Sequence, residues 1–279
     1  MRDLARIPCV LSIAGSDSGG GAGIQADLKA FAACDTHGMT AITAVTAQNT
    51  VGVTDVHVVP PATIIAQVRA VSTDIGIDAV KIGMLGTVAT IEAVAAALEE
   101  LPADTPVVLD PVMVAESGAE LLEPSARAAL IELLLARATV VTPNLPEAVA
   151  LAGAHEGDVE AAARGVHGLG CRYVVVTGGH RARAVDVFFD GEAMIGIDGE
   201  RFRDGAAHGS GCTHSAVLAA RLAWGDQPLQ AARVAKAFAS RAVRDGLWRV
   251  GSGAGPVNVL GIGCPPSRPS VCSRRDADG

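Results

Sequence analysis

Aromatic residues are scarce in this 279-residue chain: two Trp, one Tyr and five Phe, 3 % of the total. A core without rings must be built from Ala, Val, Ile and Leu, and a hydrophobic content of 49 % supplies enough of them for a sizeable interior. The cysteines, Cys9, Cys34, Cys171, Cys212, Cys264 and Cys272, include no C-x-x-C pair, and no His pair stands at zinc-finger spacing. That dispersed pattern suits reduced thiols and a cytoplasmic location. No apolar run approaches the roughly 18 residues of a membrane span. Net charge is -8 without a long Lys/Arg run, which disfavours a nucleic-acid or anionic-membrane partner but leaves room for a local basic pocket. The N-terminal apolar run ends in Gly and Asp too early for a signal peptide and reads as a first buried strand. Neither a G-x-x-x-x-G-K-[ST] nor a G-x-S-x-G motif occurs, so P-loop and nucleophile-elbow chemistry are excluded.

What is present is an alternation of short apolar runs with longer helical patterns. Strands are expected at 9–15, 40–50, 78–84, 105–112, 139–144 and 173–179, and a hairpin at 184–197 turned by Asp190-Gly191. Helices are expected at 22–38, 61–74 (Pro at its start), 87–100 (capped by Thr87), 124–138, 145–153, 158–170, 211–223 and about 228–246. The pattern implies an α/β fold, a mostly parallel sheet with helices on both faces. One domain is expected over 1–263, followed by a Pro- and Ser-rich disordered tail at 264–279. Ligands on such sheets bind beyond the carboxyl ends of the strands, and the polar clusters sit there: Gly15-Ser16-Asp17, Gln48-Asn49, Met84, Asp110-Pro111, Asn144 and Gly178-Gly179.

Two glycine-rich stretches stand out. "GSDSGGGAGIQAD" contains a G-x-G-x-x-A match between a strand and a helix, but the second strand ends Ala47-Gln48-Asn49, without the acidic residue that would bind a dinucleotide ribose. Its glycines let backbone N–H groups approach a ligand, or simply make a tight turn. In "HGSGCT", Gly209, Ser210 and Gly211 can point successive N–H groups at an anion from a helix start, with Cys212 beside them. A thiol there is expected to have a lowered pKa and to take a proton or hold a hydroxyl in line, although a small buried thiol can equally just pack. His214, two residues on, should face away from Cys212, so a Cys–His nucleophile pair is disfavoured.

Taken in order, "GSDSGGGAGIQADLKAF", "TAVTAQNT", "KIGML", "DPVM", "TPNLPEA", "GGH" and "HGSGCT" resemble the bacterial hydroxymethylpyrimidine/phosphomethylpyrimidine kinases of thiamine biosynthesis, in the ribokinase-like superfamily, over residues 8–260. The resemblance implies an ATP- and Mg²⁺-dependent kinase, a homodimer in the cytoplasm, that phosphorylates 4-amino-5-hydroxymethyl-2-methylpyrimidine and then its monophosphate. It places Gln48 on the pyrimidine edge, with Gly15, Met84 and Val112 lining that pocket. Asp27 and Lys236 fall near the phosphates, and Asp27 is counted with the substrate-binding set. Asn144, Glu147 and Thr177 fall at the nucleotide, Asp110 and Glu147 near Mg²⁺, Gly209, Ser210 and Gly211 in the anion hole, and Cys212 at the catalytic position. Simpler roles exist for several of these: Asp27 paired with Lys29, Asn144 and Glu147 as a helix capping box, Met84 as core, Lys236 as a solvated lysine.

Two positions depart from the pattern. Thr177 stands where the family usually has lysine, which removes a charge from the nucleotide end; Arg181 and Arg183 are candidates to supply it. Ser210 replaces a common Thr. The rival readings are a pyridoxal or pyridoxine kinase of the same fold, against which "AQN" and "GGAGIQAD" speak, and a non-catalytic pyrimidine-binding protein.

Overall fold

The structure, a computed structural model, describes residues 6–115, 118–155, 157–178, 184–202 and 206–263. Its centre is a nine-stranded sheet: β1 (Cys9–Asp17), β2 (His37–Gln48), β3 (Val53–Val58), β4 (Ala79–Ile82), β5 (Val107–Leu109), β6 (Val140–Val141), β7 (Tyr173–Val176), β8 (Asp186–Phe189) and β9 (Met194–Ile197). The order across the sheet is β3-β2-β1-β4-β5-β6-β7-β8-β9. The six strands from β2 to β7 in that order pair in parallel, and β3, β8 and β9 join antiparallel to their inner neighbours. The chain goes from β1 outward to β2 on one side and later to β4 on the other, so β1 lies at the point where strand order reverses.

Helices α2 (Pro61–Asp74), α3 (Val88–Leu98), α4 (Ala126–Leu134), α5 (Leu145–Ala152) and α6 (Val159–Gly168) cover one face. Helices α1 (Gly23–Ala33), α7 (Ser210–Ala223) and α8 (Pro228–Arg244) cover the other. Alternation along β1 sends Leu11 and Ile13 into the first core and Val10 into the second. Helix starts follow their sequence signals. Thr87 accepts from the Thr90 N–H, Asp158 from the Ala161 N–H, and Asn144 with Glu147 forms a full capping box.

Four expectations change. The first helix stops at Ala33 instead of residue 38, because Asp35 turns the chain through φ +56° and Thr36 Oγ1 donates back to the Phe31 carbonyl at 2.9 Å, so β2 starts at His37. β3 lies in what reads as a polar loop. It is an edge strand exposed from Thr54 to Val58, and so carries no buried-strand pattern. The hairpin has four linking residues, 190–193, rather than a two-residue turn. Asp190 Oδ1 accepts the Glu192 and Ala193 N–H groups inside it. Strands β5, β6 and β7 end earlier than their apolar runs suggest, and beyond them Asp110 keeps one backbone bond to the Ile82 carbonyl while Asn144 and Thr177 form an isolated parallel bridge. No helix among the described residues is long and apolar enough to cross a membrane.

Candidate active site

The carboxyl ends of β1, β4, β5, β6 and β7 open into one cavity of about 620 Å³, closed on the far side by the starts of α1 and α7. The two glycine-rich stretches meet there. Gly209, at φ +84°, caps α7, and a side chain on it would fall on the Gly21 carbonyl oxygen; one on Gly21 would fall on the His208 ring. The glycines of "GGGAG" therefore serve a backbone-to-backbone approach between loops. Asp17 ties the same corner. Its Oδ1 accepts the Gly19 N–H at 2.7 Å, and its Oδ2 accepts those of Gly21 at 3.0 Å and Ala22 at 2.8 Å and faces His208 Nε2 at 3.0 Å. Burial alone would raise the Asp17 carboxyl, but His208 and the backbone donors outweigh it and hold it below the usual carboxylate value.

Gly15, Gln48, Met84, Val112, Asp110, Asn144, Glu147, Thr177, Lys236, Gly209, Ser210, Gly211 and Cys212 all line the cavity. Gly15 lies beneath Met84, whose sulfur would be 3.2 Å from a Cβ on that residue. Gln48 has its backbone bracketed by the Ser18 hydroxyl, which donates to its carbonyl at 2.6 Å and accepts its N–H at 2.8 Å. Its Oε1 accepts Thr46 Oγ1 at 3.2 Å, so the side-chain amide is held at the cavity wall.

Asp27 does not line the cavity. It is fully buried, accepts Ser12 Oγ at 2.6 Å, and receives Lys81 Nζ at 2.9 Å on each oxygen. Its partner is thus Lys81 and not Lys29, which donates instead to the Gly20 carbonyl. Lys81, in the middle of a wholly buried strand, does reach the cavity. Burial would lower its ammonium, but Asp27 first, then Cys212 and Asp110, hold it above the ordinary lysine value, while burial raises the Asp27 carboxyl against the pull of Lys81 and Ser12. The signal in the sequence was a lysine inside an apolar strand and an aspartate on the apolar side of a helix, each needing a partner.

Cys212 opens onto the cavity at the first turn of α7. The expectation of a lowered pKa is overturned. Burial pushes the thiol up to about 12, Asp27 and Asp110 add to the rise, and Lys81 and the Gly23 N–H only partly oppose it. The anion hole is also reshaped. The Ser210 N–H closes a turn on the Ala207 carbonyl at 2.9 Å, which leaves the first-turn N–H groups of Gly211 and Cys212 as the donors without an intrahelical acceptor.

Farther along, Ser215 Oγ donates to Asp110 Oδ2 at 3.0 Å. Glu147 accepts the Asn144 N–H at 2.9 Å and the Met113 N–H at 3.3 Å. Burial pushes its carboxyl up to about 7, and the charge of Asp110 adds to the rise. The capping role of Asn144 and Glu147 and their place on the cavity wall thus coexist. Two buried, mutually repelling carboxylates suit a divalent cation. Among the described residues no cluster of three or more His, Cys, Asp or Glu is arranged for a metal, so a cation here needs oxygens from a ligand as well. Thr177 presents no charge, and its N–H is used by the Pro143 carbonyl. Lys236 is buried and donates to Asp186 Oδ1 at 2.6 Å, an oxygen that also accepts the Gly178 N–H at 2.8 Å. The other oxygen, Oδ2, stands 3.4 Å from His214 Nε2 without hydrogen-bond geometry. Lys81, Asp17, His208, Asp186 and His214 are among the polar cavity residues to which sequence reasoning gave no role. Arg181 and Arg183 lie outside the described residues.

A carboxyl-end cavity with two glycine-lined helix starts, paired carboxylates and buried lysines is the setting of a small-molecule phosphotransferase. The family model for phosphomethylpyrimidine kinase matches residues 17–258. The hydroxymethylpyrimidine/phosphomethylpyrimidine kinase of Haemophilus influenzae is 45% identical over 265 residues, 91% of this chain and 97% of that one. The thiamine biosynthesis bifunctional protein ThiED of Geobacter sulfurreducens is 46% identical over 90% of this chain, which spans about half (52%) of that longer protein. Among solved structures, a pyridoxal kinase from Staphylococcus aureus in complex with AMP-PCP and pyridoxal superposes with a TM-score of 0.83 at 36% identity, over 92% of this chain and 95% of that one. The fold is ribokinase-like. The chain belongs to the phosphomethylpyrimidine kinase family.

Proposed function

We infer that the chain uses ATP to phosphorylate the hydroxymethyl group of 4-amino-5-hydroxymethyl-2-methylpyrimidine, and then the resulting monophosphate, in thiamine biosynthesis. The observation that carries the mechanism is the meeting, in one cavity, of Gln48, Met84 and Gly15 with the Cys212 start of α7. Gln48 offers a donor and an acceptor to the aminopyrimidine edge, while Gly15, Met84 and Val112 make a narrow slot for the ring. Thr177, Asn144 and Lys236 face the nucleotide. Asp110 and Glu147 would hold Mg²⁺, which neutralises phosphate charge when bound.

Cys212, whose thiol keeps its proton, holds the substrate hydroxyl in line by hydrogen bonding; as the new O–P bond forms and the bond to the ADP oxygen breaks, the hydroxyl proton passes to an oxygen of the transferred phosphoryl group. The Gly211 and Cys212 N–H groups bear the charge of the transferring phosphoryl group. Lys81, fixed by Asp27, supplies positive charge beside the thiol. The rate gain comes from positioning and preset charge. The protein is read as a cytoplasmic homodimer, with residues 1–263 as the kinase domain.

The structural likeness to a pyridoxal kinase keeps that substrate as the second reading. ATP consumption and product analysis with the hydroxymethylpyrimidine, its monophosphate and pyridoxal, side by side, separate the two. Turnover of both pyrimidines with a kcat/KM well above that for pyridoxal is expected. A preference for pyridoxal overturns the assignment, and pyrimidine binding without turnover means a non-catalytic protein.

A further inference from the structure

His208 stands immediately before the Gly209 cap of α7. Three separate contacts hold His208. Its backbone pairs with the 255–257 segment, through His208 N–H to the Gly255 carbonyl at 3.3 Å and Val257 N–H to the His208 carbonyl at 3.0 Å. Its ring packs where any side chain on Gly21 would sit. Its Nε2 lies 3.0 Å from Asp17 Oδ2. The next residue is Gly209, the left-handed cap whose position decides where the Gly211 and Cys212 N–H groups point.

Asp17 is saturated on the opposite side. With three backbone N–H groups of the first loop and the His208 ring on its two oxygens, it is an acceptor only, so His208 Nε2 carries the proton and donates. One carboxylate therefore sets the first loop, through Gly19, Gly21 and Ala22, and the start of α7, through His208. Both residues are buried, Asp17 at 2 % exposure and His208 at 8 %. A charge-assisted hydrogen bond in such a place has a fixed geometry and is stronger than one in water.

We propose that Asp17 and His208 are positioning residues for phosphoryl transfer: their hydrogen bond sets the distance between the loop that holds the acceptor substrate and the α7 amides that receive the phosphoryl group. This rests on the reading that the phosphoryl group is transferred over the α7 N-terminus. Neither residue exchanges a proton with the substrate. A shift near 1 Å between reacting groups costs on the order of 100-fold in rate, so breaking the bond should lower kcat far more than it weakens binding.

The test compares His208→Leu, His208→Gln and Gly211→Val with the unaltered enzyme, measuring kcat and KM for the hydroxymethylpyrimidine and ATP together with thermal midpoints. His208→Leu should lose on the order of 10- to 100-fold in kcat while both KM values stay within about threefold. His208→Gln, whose side-chain amide can still donate to Asp17, should recover most of that loss. Gly211→Val places its side chain in open cavity space near Asp110 Oδ2 and blocks the anion site itself, so its kcat should collapse. If His208→Leu lowers the thermal midpoint but leaves kcat unchanged while Gly211→Val is inactive, the positioning role is wrong and the anion site stands. A fully active Gly211→Val removes the anion-site reading, and the proposal with it. A His208→Gln variant as slow as His208→Leu with a normal thermal midpoint also overturns the proposal.

Discussion

The two ends of the cavity are built on different terms. At the end formed by β1, β4 and the starts of α1 and α7, polar groups are paired within the protein: Asp17 with four donors, Lys81 with Asp27, Ser18 with Gln48. At the end formed by β7, β8 and α8, among the described residues, Asp186 Oδ2 and both ring nitrogens of His214 are buried without a hydrogen-bond partner, while the other Asp186 oxygen is held by Lys236 and the Gly178 N–H. Satisfied networks rigidify, whereas unsatisfied buried groups are costly until something binds them. The acceptor end, on this account, is shaped before substrate arrives. On the proposed function, the other end, where the nucleotide would lie, keeps polar groups that are not yet hydrogen-bonded.

The sharpest way to break this contrast is Lys81→Ala. It leaves the Asp27 carboxylate buried and unpaired and should cost about 3–5 kcal/mol in urea unfolding; a loss below about 1 kcal/mol would mean the acceptor end is not held by that pair. Gln48→Ala should raise the KM for the pyrimidine about tenfold, the worth of one hydrogen bond, with an unchanged thermal midpoint. Steady-state kinetics on both substrates check that ATP is unaffected. At the other end, Thr177→Lys should lower the KM for ATP several-fold, because it adds a cation to the cavity wall where the proposed function puts the nucleotide phosphates. A higher KM would show that the nucleotide end is already satisfied by groups of its own. The smallest effect concerns acid. Asp17 is held below its unfolded value near 3.9, so its stabilisation is present above that pH and is lost as pH falls through the lower folded value. Asp17→Asn should therefore be most destabilised, relative to the unaltered protein, near neutral pH, and the gap in thermal midpoint should narrow below about pH 4.

The same contrast explains what was legible in the sequence. The parallel core strands and their helices read directly from apolar runs and caps, because runs such as Val107 to Leu109 are fully buried and fit only a strand covered on both faces. β3 was invisible because an exposed edge strand needs no apolar face. Site residues that stand in loop motifs, such as Gln48, Asn144 and Cys212, could be placed by their resemblance to a family. Asp27 was misplaced, since a sequence shows a carboxylate but not which way it faces. Lys81, Asp186 and His214 went unassigned because their roles depend on partners 54, 50 and 28 residues away in the chain, a pairing only the fold creates. The thiol's direction of shift was also hidden: a helix start alone would lower it, and burial beside Asp27 and Asp110 wins.

Separate rate constants for the two phosphorylations by Cys212→Ala test the account most directly. The first acceptor is a neutral hydroxyl that must be held in line by hydrogen bonding, while the second is a phosphate that is already an anion. The variant should lose on the order of 100-fold or more in the first step and markedly less in the second. Equal losses in the two steps, or an undiminished first step, would contradict the role given to Cys212 at the start of α7.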